Sequence, residues 1–198
     1  MMRHICFAVI ACWIMSACST SDEEQASIPL PPRADQIESE SFGVEYLYSD
    51  SARVTAQLEA EHVIEKKEKK DSDNSPEKIA HYFDKGIHIK FFNKRGRESS
   101  VVSANYGVLY KEQGVAELKG NVILNKVSTG ERLETEQLFW DQEKDSIYVE
   151  RDQFLKITTP DKVITGKGLR TNTAFEPYFI YNISGQFSIK DGEGGMIE

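Results

Sequence analysis

The residues able to do chemistry in this 198-residue chain are few, and their spacing does not suit catalysis. His62, His81 and His88 are the histidines beyond the first few positions, and none falls in an HxxxH or HExxH pattern. The three cysteines, Cys6, Cys12 and Cys18, all lie near the start, so none is placed to join a histidine around a metal. Gly166-Lys167-Gly168 lacks a third glycine in register and a following helix, which argues against a dinucleotide site. Asp141-Gln142-Glu143-Lys144-Asp145 resembles a calcium loop only loosely, without its glycine and closing glutamate, and reads better as a hairpin turn. Glu134 and Glu136 could pair as acid and base, but strand alternation puts both on one solvated face. No nucleophile sits in a recognisable elbow. The expectation is a protein without catalysis, metal or cofactor.

One cysteine has another use. Met1 to His4 carry a single fixed positive charge at Arg3, and Ile5 to Met15 form an unbroken apolar run of eleven residues. At about 1.5 Å of rise per residue the run covers roughly 17 Å, well short of a ~30 Å hydrocarbon core. A basic start, a short apolar run and small residues before a cysteine make a secretory signal peptide over 1–17. Met15-Ser16-Ala17-Cys18 resembles the bacterial lipobox, which implies that Cys18 is acylated and becomes the first residue of a lipoprotein. An ordinary secreted protein cut near the same place is the alternative. With Cys18 acylated and the leader gone, the mature chain holds no free thiol, so its fold rests on its own core.

The formal net charge is −8 at pH 7, and loss of Arg3 with the leader makes it one unit more negative. That argues against nucleic acid and against a general electrostatic grip on anionic lipid. Ser19 to Ser41 is polar and acidic, holds Pro29, Pro31 and Pro32, and has no periodicity, so 18–41 reads as a lipidated flexible tether. The remainder is long enough for one sizeable domain, expected over 42–190, with a disordered tail over 191–198.

From Phe42 the pattern has period two. In Arg53 to Glu61, Val54, Ala56, Leu58 and Ala60 share one face while charged and polar residues share the other. Alternation returns at Ile87–Phe91, Ala116–Lys119, Phe179–Ile183 and Phe187–Ile189. Turn signals separate the runs at Asp84-Lys85-Gly86, Asn93 to Gly96, Gln113-Gly114, Ser128 to Gly130 and Thr159 to Asp161. The charged stretch Lys66 to Lys78, with Pro76, is expected to loop out. The strands also repeat. Val102, Leu133 and Ile164 open successive units 31 residues apart, and Gly120, Asp152 and Gly185 mark the second strand of each, with an earlier copy at Val54 and Gly86. Repeated strand pairs that bury their apolar face only against neighbours predict an all-β, antiparallel roll of about four such units.

At this point a family resemblance becomes visible. Ala104 to Tyr110, Ala116 to Val122, Gly130 to Asp141, Ile147 to Thr158 and Val163 to Leu169 are similar, in order, to the OstA-like repeat. With Val44 to Asp50 and Phe83 to Phe92 added, residues 42 to 190 resemble the LptC family, the periplasmic component of the lipopolysaccharide export ABC transporter. The resemblance implies a β-jellyroll whose interior takes the acyl chains of lipopolysaccharide from the inner-membrane export transporter. It passes them to the next periplasmic jellyroll by edge-strand pairing, without catalysis. Well-known members keep an N-terminal transmembrane helix, whereas here an acylated Cys18 would hold the chain to a membrane, the inner one rather than the outer.

On that resemblance the inner-face candidates are Val54, Ala56, Leu58, Ile87, Ile89, Phe91, Ala104, Tyr106, Ala116, Leu118, Val122 and Leu133. The alternative for each is ordinary closed-core packing. Unpaired edges suit strand addition, with Val44 to Tyr48 as the receiving edge and Phe179 to Lys190 as the exit edge. Two other readings stay open. One is a surface-exposed lipoprotein for adhesion or glycan binding, suggested by Ser21-Asp22-Glu23-Glu24 behind the cysteine. The other is a β-roll glycosidase, which would need two carboxylates facing across a cleft about 5–10 Å wide.

Overall fold

The alternating segments form strands, and the strands form one antiparallel sheet. The computed structural model describes residues 37–68 and 78–188. Its strands are β1 (Ile37–Asp50), β2 (Arg53–Glu68), β3 (Lys78–Phe83), β4 (Ile87–Phe92), β5 (Glu98–Ala104), β6 (Tyr106–Tyr110), β7 (Val115–Lys126), β8 (Arg132–Asp141), β9 (Ser146–Thr158), β10 (Lys162–Thr171) and β11 (Phe179–Ser188). Among the described residues the only helical piece is one 3-10 turn, Lys111–Gln113, and no helix is long and apolar enough to cross a membrane. Leader residues 1–17, Cys18, most of the tether and tail residues 191–198 lie outside the described residues.

The strand order hides a simple path. β2 pairs with β4 through Ala56 to Glu59 and with β3 through Ile64 to Glu68. Thus β3 and β4 are two halves of one long strand, interrupted by the Asp84-Lys85-Gly86 turn. β5 and β6 are likewise halves of one strand broken at Asn105, and both pair with β7. The described chain is therefore a meander of nine long strands, each beside its neighbour in sequence. The four repeat units are β2 with β3/β4, β5/β6 with β7, β8 with β9, and β10 with β11. β1 stands outside the repeat and adds to β2.

From β3/β4 to β11, every long strand is interrupted or slips register near its middle. Pairing slips at Lys119/Val122 in β7, Thr135/Phe139 in β8 and Lys167/Leu169 in β10, and Glu150 to Gln153 bulge out of β9. At the β7 bend Gly120 and Asn121 both take positive φ, 74° and 49°, a turn that glycine and asparagine tolerate best. The bends line up across the sheet and fold it into two layers. Tyr48 on β1 and Trp140 on β8 are five strand steps apart, about 24 Å in a flat sheet. Their ring centroids lie 5.2 Å apart. Phe91 on β4 meets the other side of this contact, 4.9 Å from Trp140.

The core sits between the layers as one apolar cluster that includes Leu58, Ile89, Leu118, Leu124, Leu133, Leu138, Leu155 and Ile157, all fully buried. Truncating any of these leucines to alanine would cost about 2–5 kcal/mol. Two boundaries differ from the sequence expectation. β1 begins at Ile37, so the end of the predicted tether is strand; backbone pairing with Ile64 to Lys66 holds it there without an apolar alternation of its own. Likewise Lys66–Glu68 close β2 and pair with β3, so the charged loop is shorter than expected, and its residues 69–77 lie outside the described ones. Phe179–Ile183 and Phe187 belong to one strand, β11, whose pairing with β10 slips once between them.

Candidate functional site

The feature that could serve a function is the space between the layers and the seam where their far ends meet. Ten of the twelve inner-face candidates line that interior: Ala56, Leu58, Ile87, Ile89, Phe91, Ala104, Ala116, Leu118, Val122 and Leu133 are all buried. Two are not inside. Val54 is 40% exposed, because it lies at the rim beside the β1–β2 turn. Tyr106 is half-buried and points outward. A Cβ on Gly107 would meet Ile87 and Phe83, so Gly107 faces the core and its neighbour faces the other way, beside Lys119.

The interior also holds residues that the alternation did not single out: Phe83, Leu138, Trp140, Ile147, Leu155 and Phe175. Leu138 and Trp140 lie beyond the bend of β8, where the inward parity slips by one. In β8 the inward residues are Leu133 and Thr135, then Leu138 and Trp140; in β10 they are Ile164 and Gly166, then Leu169 and Thr171. A period-two template run straight through loses count at that point.

A strap closes part of the seam. After β10 the chain crosses from one layer to the other through Asn172 to Tyr178. The Ser100 hydroxyl donates to the Thr173 carbonyl, the Lys126 ammonium donates to Glu176 at 2.8 Å, and the Thr173 hydroxyl donates to Asp145. Phe175 inserts into the core, 0% exposed and stacked on Tyr178 at 5.0 Å, with φ at 56°. A bulky residue in the left-handed region is strained, and its apolar burial must outweigh that cost. Burial pulls the Lys126 ammonium down, but Glu176 and Glu131 outweigh it and raise it overall; the same contact holds Glu176 below the usual carboxylate range.

Beside the strap lies a cavity of about 680 Å³, lined by Arg53 to Ala56, Phe91 to Lys94, Trp140, Gln142, Glu143, Thr173 and Ala174 among others. Its wall is apolar below and charged at the rim. Tyr48 packs edge-on against Trp140, and burial pushes its phenol up to about 12, partly opposed by the Gln142 amide.

Two of the histidines, His81 and His62, make side-chain bonds that tie strands together. Glu65 can only accept, so His81 carries its proton on Nε2, 2.8 Å from that carboxylate, and Nδ1 accepts from the Tyr46 hydroxyl at 2.9 Å. His62 donates through Nδ1 to Asp84 at 2.7 Å and stacks under Phe42. Glu134 is engaged by Lys156 at 2.8 Å and Arg132 at 3.3 Å on an outer face, and Asp141 ends β8 while Gln142 to Asp145 form the β8–β9 turn. Among the described residues no group of three or more metal-ligating side chains comes together.

Among the described residues the sheet ends in two unpaired edges, β1 and β11. Phe42 and Leu47 are exposed on β1; Phe179, Ile183 and Phe187 are exposed on β11. The family model for lipopolysaccharide-assembly, LptC-related proteins matches residues 5–176, which takes in every strand from β1 to β10 and most of the strap. No curated protein matches the sequence.

Proposed function

Because the chain belongs to the LptC-related family of lipopolysaccharide-assembly proteins, we propose that its two-layered roll is a carrier for the acyl chains of lipopolysaccharide. Membership gives it a role in lipopolysaccharide transport, in a family of non-enzymatic components that are periplasmic and membrane-associated. The finer steps are our reading. The roll accepts the lipid from the inner-membrane export transporter at the β1 edge and passes it on at the β11 edge to the next jellyroll. Cys18, acylated, tethers it to the inner membrane.

One observation supports this reading: a single apolar interior runs between layers that are continuous at the bend and, among the described residues, tied at the seam by the strap's few side-chain bonds and by packing rather than by a strand ladder. Lipid tails exposed to water cost about 0.8 kcal/mol per methylene, so a chain of about twelve carbons gains on the order of 10 kcal/mol from such an interior. Edge strands with unpaired backbone groups and exposed apolar side chains support strand addition by a partner.

Photo-crosslinking in cells from Ala104, Leu118 and Val122 tests the carrier reading. An adduct with lipopolysaccharide that requires ATP supports it. Absence of an adduct from all three inward positions contradicts it.

A further inference from the structure

One buried donor at the seam has no acceptor, and a second has only a loosely placed one. Trp140 is 4% exposed, and its indole Nε1 has no hydrogen-bond partner among the described residues. The amide Nε2 of Gln142, two residues on, is also buried; it faces the Tyr48 phenol but makes no bond of ordinary geometry to it, which leaves it free to turn to a better acceptor. Both residues line the 680 Å³ cavity, a size within the roughly 300–1,000 Å³ range of small-molecule pockets. A buried indole N–H usually finds a partner, and a stranded donor costs folding free energy that phenylalanine at the same place would avoid. Retaining the donor makes sense if something brings an acceptor.

The chemistry of the cavity narrows what that acceptor is. Its rim carries Arg53 and Lys94 against Asp50, Glu143 and Asp145. This balance has no cationic excess to attract a phosphate or a free carboxylate. Uncharged N–H donors suit a neutral oxygen. The cavity also lies where the apolar interior meets solvent, with Phe91 and Ala56 on its wall and charged turns at its mouth. In an acylated amphiphile the group at that boundary is the acyl carbonyl, between the hydrocarbon and the hydrated head.

We infer that Trp140 and Gln142 form a subsite for the ester or amide carbonyl of an acyl chain, an inference that rests on the carrier reading above. Neither nitrogen is itself exposed, so a carbonyl reaches them as the wall residues part. The subsite sets depth: it lets the methylene chain enter and stops the lipid at its first polar group.

The test compares two probes that differ in one carbonyl, a dodecanoyl glucose ester and the matching dodecyl glucose ether. Each is titrated calorimetrically into the full chain below its micelle-forming concentration. The ester is expected to bind about tenfold more tightly, the equivalent of one net hydrogen bond. Trp140→Phe keeps the ring contacts and is expected to bring the two probes to parity. Gln142→Leu is expected to reduce the ratio in part, and it serves if the tryptophan variant does not fold. Equal binding to the unaltered chain overturns the subsite and leaves the carrier reading standing. A preference that survives both substitutions overturns it too, because another group then reads the carbonyl. If neither probe binds, the subsite is overturned, and the crosslinking experiment decides the carrier reading separately.

Discussion

The two edges of the sheet are held in different ways. β1 is keyed to its own domain by side chains: Tyr46 to His81, Tyr48 against Trp140, Phe42 over His62, and Gln57 donating to Glu45. β11 keeps its backbone ladder with β10, but its large apolar side chains Phe179, Ile183 and Phe187 face solvent. What holds it from the side is close approach, with Ile180 packed on the core and Tyr181 under the Arg151 guanidinium. A strand fixed by specific contacts is costly to displace and suits a defined contact on its free side. A strand that offers backbone and apolar surface is suited to being extended. On the carrier reading, the asymmetry gives the roll a direction.

The largest effect is expected at the strap that leads into β11. Phe175→Ala should cost about 3–5 kcal/mol in chemical denaturation, and hydrogen exchange should rise in β11 before β1. A loss under 1 kcal/mol would show that Phe175 is not part of the core. Next is Gly168→Ala. Its φ is 67°, and an added Cβ would lie 2.8 Å from the Arg151 Cα, so about 1–3 kcal/mol should be lost, with exchange rising along β10 and β11. On the other edge, Tyr46→Phe removes the hydroxyl that His81 Nδ1 accepts from and should cost about 1 kcal/mol, loosening β1 and leaving β11 unchanged.

A smaller effect follows pH. Lys126 depresses the Glu176 carboxyl, so the stabilisation from this pair is present above the ordinary carboxylate value of 4.5 and is lost as pH falls through the lower folded value. Glu176→Gln should flatten the acid limb of exchange at 172–178 and leave β1 unaffected; an unchanged acid limb would show that the pair does not hold the strap. The smallest change in stability is expected from Ile183→Lys combined with Phe187→Lys, within about 0.5 kcal/mol. If β11 is the exit edge, this stable variant nonetheless fails to support lipopolysaccharide export in cells.

Each half of a strand was legible in the sequence, because one buried face forces alternation: Ala56, Leu58 and Ala60, or Ile87, Ile89 and Phe91, fall inside as their spacing requires. The repeat was legible as well, since each period is one out-and-back pair. The bend was not. Gly120, Asp152 and Gly185 marked it, but a glycine or a bulge does not say by itself that the next half-strand changes layer. The parity slip there placed Tyr106 inside and left Leu138 and Trp140 unread. Phe175 was out of reach for another reason, because it sits in a loop with no period and is buried only through contacts with strands distant in sequence.

The bend has a mechanical consequence. The two layers are halves of the same strands, like facing pages bound at one spine. Spreading the pages breaks no ladder hydrogen bond, because every backbone pair lies within a page. What parts is oily contact between pages, together with the few ties of the strap. A fatty chain slipped between them replaces that contact with more of its own kind. The roll can therefore widen to fit its cargo while its strand register stays fixed.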